Sequence, residues 1–206
     1  MKALLINGSP NAKGCTFTAL SIVAEELQKN GVEAEIIHVG HKDIHGCIAC
    51  GKCYETGKCV FNDIVNEIAP KFEQADALII GSPVYYAGIA GTMKSFLDRL
   101  FFSTPFDKRM KVGAAVCSAR RAGTTATFDQ LNKYFTISEM PIASSQYWNM
   151  VHGHTPDDVM QDTEGCQIMR VLGRNAAFLV RAIAAERKRN GLPEKETEHY
   201  FTNFIR

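Results

Sequence analysis

The stretch Lys2-Ala3-Leu4-Leu5-Ile6-Asn7-Gly8-Ser9-Pro10-Asn11-Ala12-Lys13-Gly14-Cys15-Thr16 decides the fold. Lys2 to Ile6 has the length and apolar character of a buried strand, and Asn7-Gly8-Ser9-Pro10 ends it with turn-forming residues. Beyond Gly14, the apolar residues Leu20, Val23, Ala24 and Leu27 fall on one helical face. Gly31 then stops the helix, and Glu35-Ile36-Ile37-His38-Val39 supplies a second strand. Strand, glycine-containing turn, helix and strand make a βαβ unit.

The alternation continues outward from that unit. Asp63 to Phe72 has a helical pattern, and Ala77-Leu78-Ile79-Ile80 is a strand whose lack of polar alternation requires cover on both faces. A helix around Met93 to Phe102, a strand from Val112 to Val116, a helix around Thr127 to Phe135 and a weaker strand near Pro141 to Ala143 follow. The pattern predicts an α/β fold, a doubly wound parallel sheet of five strands. Gly165 to Lys188 is one long helix, with Leu172, Ala176, Leu179, Val180 and Ile183 as its apolar stripe. Residues 1–190 thus read as one domain. Residues 191–206 read as a tail in which Tyr200, Phe201 and Phe204 pack either on that domain or on a neighbouring subunit of a homodimer or higher homo-oligomer.

The chain has 206 residues, 46% of them hydrophobic, enough for one sizeable core. Its 23 basic and 22 acidic residues leave a net charge of +1, too weak a field to gather nucleic acid or anionic lipid. The apolar run Ala3 to Ile6 is far shorter than a leader or a membrane span, so the expected location is the cytoplasm.

In a parallel sheet, ligands bind beyond the carboxyl ends of the strands. The loop after the first strand, Gly8 to Thr16, suits a terminal phosphate. Ser9, Asn11, Gly14, Cys15 and Thr16 combine small residues and hydroxyls with a helix N-terminus that presents unpaired amides. It contains neither Gly-Lys-Ser/Thr nor Gly-x-Gly-x-x-Gly, which argues against a nucleotidase P-loop and a dinucleotide site. The loop after the third strand, Gly81 to Gly91, carries Pro83, Val84, Tyr85, Tyr86 and Gly88, and a flat ring could lie against its aromatics and small residues. The loop after the fourth, Cys117 to Thr125, offers Ser118, Arg120 and Gly123, with a cation to balance negative charge on such a ring. Tyr147, Trp148 and His152, after the last strand, could line the open face.

Gly8-Ser9-Pro10, Gly14 and Thr16, then Ser82-Pro83-Val84-Tyr85-Tyr86, then Lys94-Ser95-Phe96-Leu97-Asp98-Arg99 together resemble the NADPH-dependent FMN reductase branch of the flavodoxin-like superfamily. The resemblance covers about residues 1 to 150. It implies a flavodoxin-like fold with the strand order 2-1-3-4-5, FMN phosphate on the first loop and the isoalloxazine on the second and third. It departs from the family at Asn11, where arginine is frequent, and at Cys15, where a polar residue is usual.

Seven cysteines are an odd number, and four of them, Cys47, Cys50, Cys53 and Cys59, fall within thirteen residues. That arrangement points to a metal or redox site before a disulfide framework. Cys-x2-Cys-x2-Cys-x5-Cys resembles the compact motif of iron-sulfur flavoproteins, which implies a [4Fe-4S] cluster. The spacing itself leaves cluster, zinc and metal-free thiols open. Cys15, Cys117 and Cys166 read as packing residues, with Cys15 placed where a helix N-terminus lowers a thiol pKa.

The expected activity is an FMN-dependent oxidoreductase that takes hydride from NAD(P)H and passes electrons to a small-molecule or protein acceptor, with no side chain acting as catalytic acid or base. The alternatives are an iron-sulfur flavoprotein acting as an electron-transfer component, and a flavodoxin-type carrier with no substrate of its own.

Overall fold

The computed structural model describes residues 1–198, 200 and 202. In chain order the elements are β1 (Lys2–Asn7), α1 (Cys15–Lys29), β2 (Glu33–His38), α2 (Lys52–Thr56), α3 (Ile64–Gln74), β3 (Ala77–Tyr85) and β4 (Gly88–Ile89). They continue with α4 (Gly91–Ser103), β5 (Val112–Ala119), α5 (Thr124–Thr136), β6 (Met150–His152), α6 (Pro156–Gln161) and α7 (Thr163–Asn190).

The parallel strands run in the order β2-β1-β3-β5-β6, the flavodoxin-like order read from the sequence, and β4 pairs antiparallel with the end of β3. Alternation within the apolar strands splits the core into two layers. Ala3, Leu5, Ala77 and Ile79 face α1 and α7, while Leu4, Ile6, Leu78 and Ile80 face the side covered by α3 and α4. Each of these side chains is buried, and each Leu or Ile contributes about 1.5–3 kcal/mol by leaving water. Helices on both faces explain why the central strands show no polar alternation. The long α7 closes one layer against α1, and a Cβ at Gly173 would lie 2.8 Å from the Val23 carbonyl oxygen, so the two helices cross nearly backbone to backbone.

The edge of the sheet differs from the sequence reading. Pro141 to Ala143 touches β5 only through an isolated parallel bridge between Ile142 and Gly113. The fifth parallel strand is β6, paired Cys117↔Met150 to Ala119↔His152. The edge is therefore built in two pieces, and residues 144–149 leave the sheet between them. β3 and β5 also run further than their apolar cores, to Tyr85 and Ala119, because Gly81, Ser82, Cys117 and Ser118 are small enough to stay paired and buried.

Past α7, Arg109 donates to the Pro193 carbonyl at 3.3 Å, tying the start of the tail to its own domain. Residues 191–198 and Tyr200 are exposed, and Phe201 and Phe204 lie outside the described residues. Among the described residues no helix is long and apolar enough to cross a membrane.

Candidate functional site

β1 delivers the chain to a loop stapled by Asn7, which the sequence reading took only as a turn former and not as part of the site. Asn7 is fully buried, its Oδ1 accepts from the Ser9 amide at 3.0 Å, and its Nδ2 donates to the Ala12 carbonyl at 3.1 Å. An asparagine that bonds the backbone two residues on is a turn device, and Asn7-Gly8 was the available signal. The loop rests on the end of β2. The His38 ring lies 2.6 Å from the Ser9 carbonyl oxygen, and a Cβ at Gly40 would lie 2.2 Å from the same atom. Beyond it, Gly14 is the extended N-cap of α1, with no side-chain cap and no acidic residue in the first turn. The first amides of a 15-residue helix and its positive end thus have no side-chain partner, which is the donor set a phosphate needs.

Thr16 and Ser118 are both buried, and their hydroxyls lie 2.7 Å apart. This joins the first and third strand-end loops at their base. The pair uses one of its two hydroxyl protons, so one donor remains for a ligand. Cys15 differs from expectation: burial pushes its thiol above the ordinary value, outweighing the bond from its own amide, and the Asp158 charge pushes the same way. Its Sγ lies 3.6 Å from the Gly153 carbonyl oxygen, packing the start of α1 against the end of β6.

The second loop is a tight β-hairpin. Val84 pairs with Ile89 and Tyr85 with Gly88, and the two residues between, Tyr86 and Ala87, have φ of 50° and 56°. Two-residue turns with both φ positive favour Asn-Gly, and a tyrosine-alanine pair stores strain of about 1–3 kcal/mol per residue. Tyr85 is half exposed and Tyr86 fully exposed at the tip. Ser82 Oγ accepts from the Ala90 amide at 3.1 Å and closes the base of the hairpin.

The third loop meets the second. Gly123, with φ 88°, is the N-cap of α5, and a Cβ there would lie 2.9 Å from Ala87 Cα and 2.9 Å from Val84 Cγ1. Gln130 on α5 accepts from the Ile89 amide at 3.3 Å. Arg120 and Arg121 are exposed, and neither is paired with a carboxylate among the described residues. Tyr147 and Trp148, in the segment that leaves the sheet edge, are half exposed with ring centroids 4.9 Å apart. The His152 amide donates to Asp162 at 2.7 Å.

A second region lies between β2 and α3. Cys47, Cys50, Cys53 and Cys59 all line one small cleft, together with Phe61, Arg99, Phe102 and Ser103. The backbone that wraps it uses φ of 53° at Ala49, 72° at Gly51 and 67° at Gly57, the last two capping the short α2 that carries Cys53. All four thiols are free, Cys47 and Cys50 exposed, Cys53 and Cys59 half-buried. Among the described residues no three His, Cys, Asp or Glu side chains close around a single ion position. The rim is apolar: Ile48, Val60, Phe102 and Tyr54 are all exposed, and Tyr54 meets Phe102 edge-on at 5.4 Å. Asn66 holds the Cys59 backbone from both sides, accepting from its amide and donating to its carbonyl, each at 3.0 Å.

A model of the family described as NADPH-dependent FMN reductase matches residues 1–155. The chain belongs to that family. It is an FMN-binding oxidoreductase of the flavodoxin-like superfamily, closely related to the iron-sulfur flavoproteins. It is 34% identical to an iron-sulfur flavoprotein of Methanocaldococcus jannaschii over 89% of this chain and 99% of that protein. It is 26% identical to an iron-sulfur flavoprotein of Methanosarcina thermophila over 91% of this chain and 99% of that one. Among solved structures, RosB with a bound 8-demethyl-8-formylriboflavin-5'-phosphate intermediate superposes with a TM-score of 0.72 at 14% identity, over 100% of this chain and 93% of the other, a likeness of fold.

Proposed function

We propose that this member of the family is an electron-transfer iron-sulfur flavoprotein, carrying FMN at the strand-end loops and a [4Fe-4S] cluster on Cys47, Cys50, Cys53 and Cys59. The observation that carries the reading is the cleft that all four cysteines line, in a chain alignable over nearly its whole length with an iron-sulfur flavoprotein. When bound, FMN supplies one- and two-electron chemistry and a cluster supplies single-electron steps.

The residues fit both groups. For the phosphate, Ser9, Asn11, Gly14, Cys15 and Thr16 surround an uncapped helix start. For the ring, the hairpin bearing Pro83, Val84, Tyr85, Tyr86 and Gly88 packs against Gly123, with Ser118 paired to Pro83 and the exposed Arg120 on the loop that follows. For the cluster, four thiols share an apolar cleft with a buried guanidinium. The chain binds, orients and excludes water, and no side chain is assigned as acid or base.

The test is protein purified without oxygen. Stoichiometric iron and sulfide with a broad absorbance beneath the flavin bands supports the cluster, and flavin bands without iron overturns it. The second reading, an NAD(P)H-dependent two-electron reductase, is favoured by the family model. Steady NAD(P)H oxidation by the FMN-loaded C47S/C50S variant would support it.

A further inference from the structure

We propose that Arg99 is the positioning residue of the cysteine site, its Nε donating to the Cys59 sulfur and holding the one cysteine outside the Cys47-Cys50-Cys53 repeat on the wall of the cleft. The proposal rests on the iron-sulfur reading above. Arg99 is only 1% exposed, and Nε lies 3.1 Å from Cys59 Sγ. Nη1 donates to the His45 carbonyl at 3.2 Å and to Asp63 Oδ2 at 2.6 Å. Nη2 donates to the Phe61 carbonyl at 3.3 Å and to Asp63 Oδ1 at 2.9 Å. A guanidinium has five N–H donors, and every one is used on the segment from His45 to Asp63 that carries the cysteines.

The ion pair with Asp63 would suffice to stabilise a buried arginine, so the donor to sulfur is an added feature. Its carbonyl partners flank the cysteine run at His45 and Phe61, so one rigid fork sets both ends of the loop. The Phe61 ring lies 4.9 Å from the guanidinium carbon and completes its enclosure. The guanidinium is charged at every working pH, and Asp63 pairs with it at 2.6 Å. A fixed cation and an N–H donor at a ligand sulfur favour the more negative, reduced state of a cluster and raise its reduction potential. Lysine cannot substitute, because its point charge lacks the planar fork.

The experiment compares R99K and D63N with the wild-type chain, all purified without oxygen, with FMN retention as the control for folding. Arg99 lines no flavin loop, so R99K should keep its FMN. Its cluster potential should fall below wild type, and its iron should pass to a chelator about 10-fold faster. D63N keeps the Nε donor and should hold the potential near wild type. An unchanged potential and iron release in R99K overturns the proposal, as does an equal shift in both variants, which would assign the effect to the ion pair. Should R99K fail to fold, R99Q takes its place under the same criteria. A wild-type chain that assembles no iron overturns the reading of the cysteines and this proposal with it, whereas an iron-loaded wild type with an unaltered R99K overturns this proposal alone.

Discussion

The hydroxyls of Thr16 and Ser118 meet at 2.7 Å in the interior, one at the start of α1 and the other near the end of β5. Thr16→Val keeps the shape and removes one partner, leaving the Ser118 hydroxyl buried without a bond at a cost of about 1–3 kcal/mol. Pairing T16V with S118A removes both polar groups, so the double variant should recover part of that loss. A double-mutant cycle by urea unfolding measures the coupling. FMN affinity should fall in both T16V variants, because each removes the Thr16 hydroxyl from the phosphate loop.

Gly123 combines a left-handed φ of 88° with the close approach of the Ala87 backbone. Alanine there adds about 1 kcal/mol of backbone strain, and its Cβ must push the hairpin away from α5. G123A should therefore weaken FMN binding more than it lowers the unfolding midpoint. Flavin fluorescence titration read beside a denaturant curve separates the two effects.

The parts of this molecule legible in its sequence are those written by local pattern. Ala77, Leu78, Ile79 and Ile80 show no polar alternation, so a strand covered on both faces followed directly, and with it the parallel sheet. The edge was harder, because Pro141 to Ala143 has strand composition yet only Ile142 bridges β5, while Met150 to His152 gains its pairing from β5 and carries no apolar run of its own. The loops proposed for the flavin lie at the strand ends where the sequence put them, but the tyrosine-alanine turn has no turn-forming composition, and its positive φ angles follow from the β3–β4 pairing. Arg99 was quoted only as part of a motif. Its meaning depends on partners 36 to 54 residues away in sequence, which no spacing rule brings together.

Burial pushes the Cys117 thiol up to about 12, helped by the charge of Asp129. The folded state then holds a proton that the unfolded chain releases above about pH 9, the ordinary thiol range. The protein binds more protons folded than unfolded in that window, so stability is full below about pH 9 and declines toward pH 12 at about 1.4 kcal/mol per pH unit from this group. Tyr134, raised by burial and by its bond to Asp98, acts in the same direction above the ordinary phenol range. C117A should flatten the alkaline limb of the stability curve, measured by urea midpoints at stepped pH. An identical slope in wild type and variant would contradict the assignment.

The seven thiols divide by environment into reactive and silent sets. Cys117 and Cys166 are buried, and burial raises the thiol pKa of both and of Cys15. The attacking species is the thiolate, so these three should react slowly with an alkylating reagent near neutral pH. Cys47 and Cys50 are exposed, and Cys53 and Cys59 half-buried, on a loop that is open to solvent in metal-free protein. Native metal-free protein should therefore show four fast thiols, with peptide mapping placing the label on the loop. Protein isolated without oxygen and loaded with iron should show none of the four, because each would be a ligand. Fast labelling of Cys15 would mean that the helix N-terminus outweighs its burial, and it would return that thiol to the flavin loop as a reactive group.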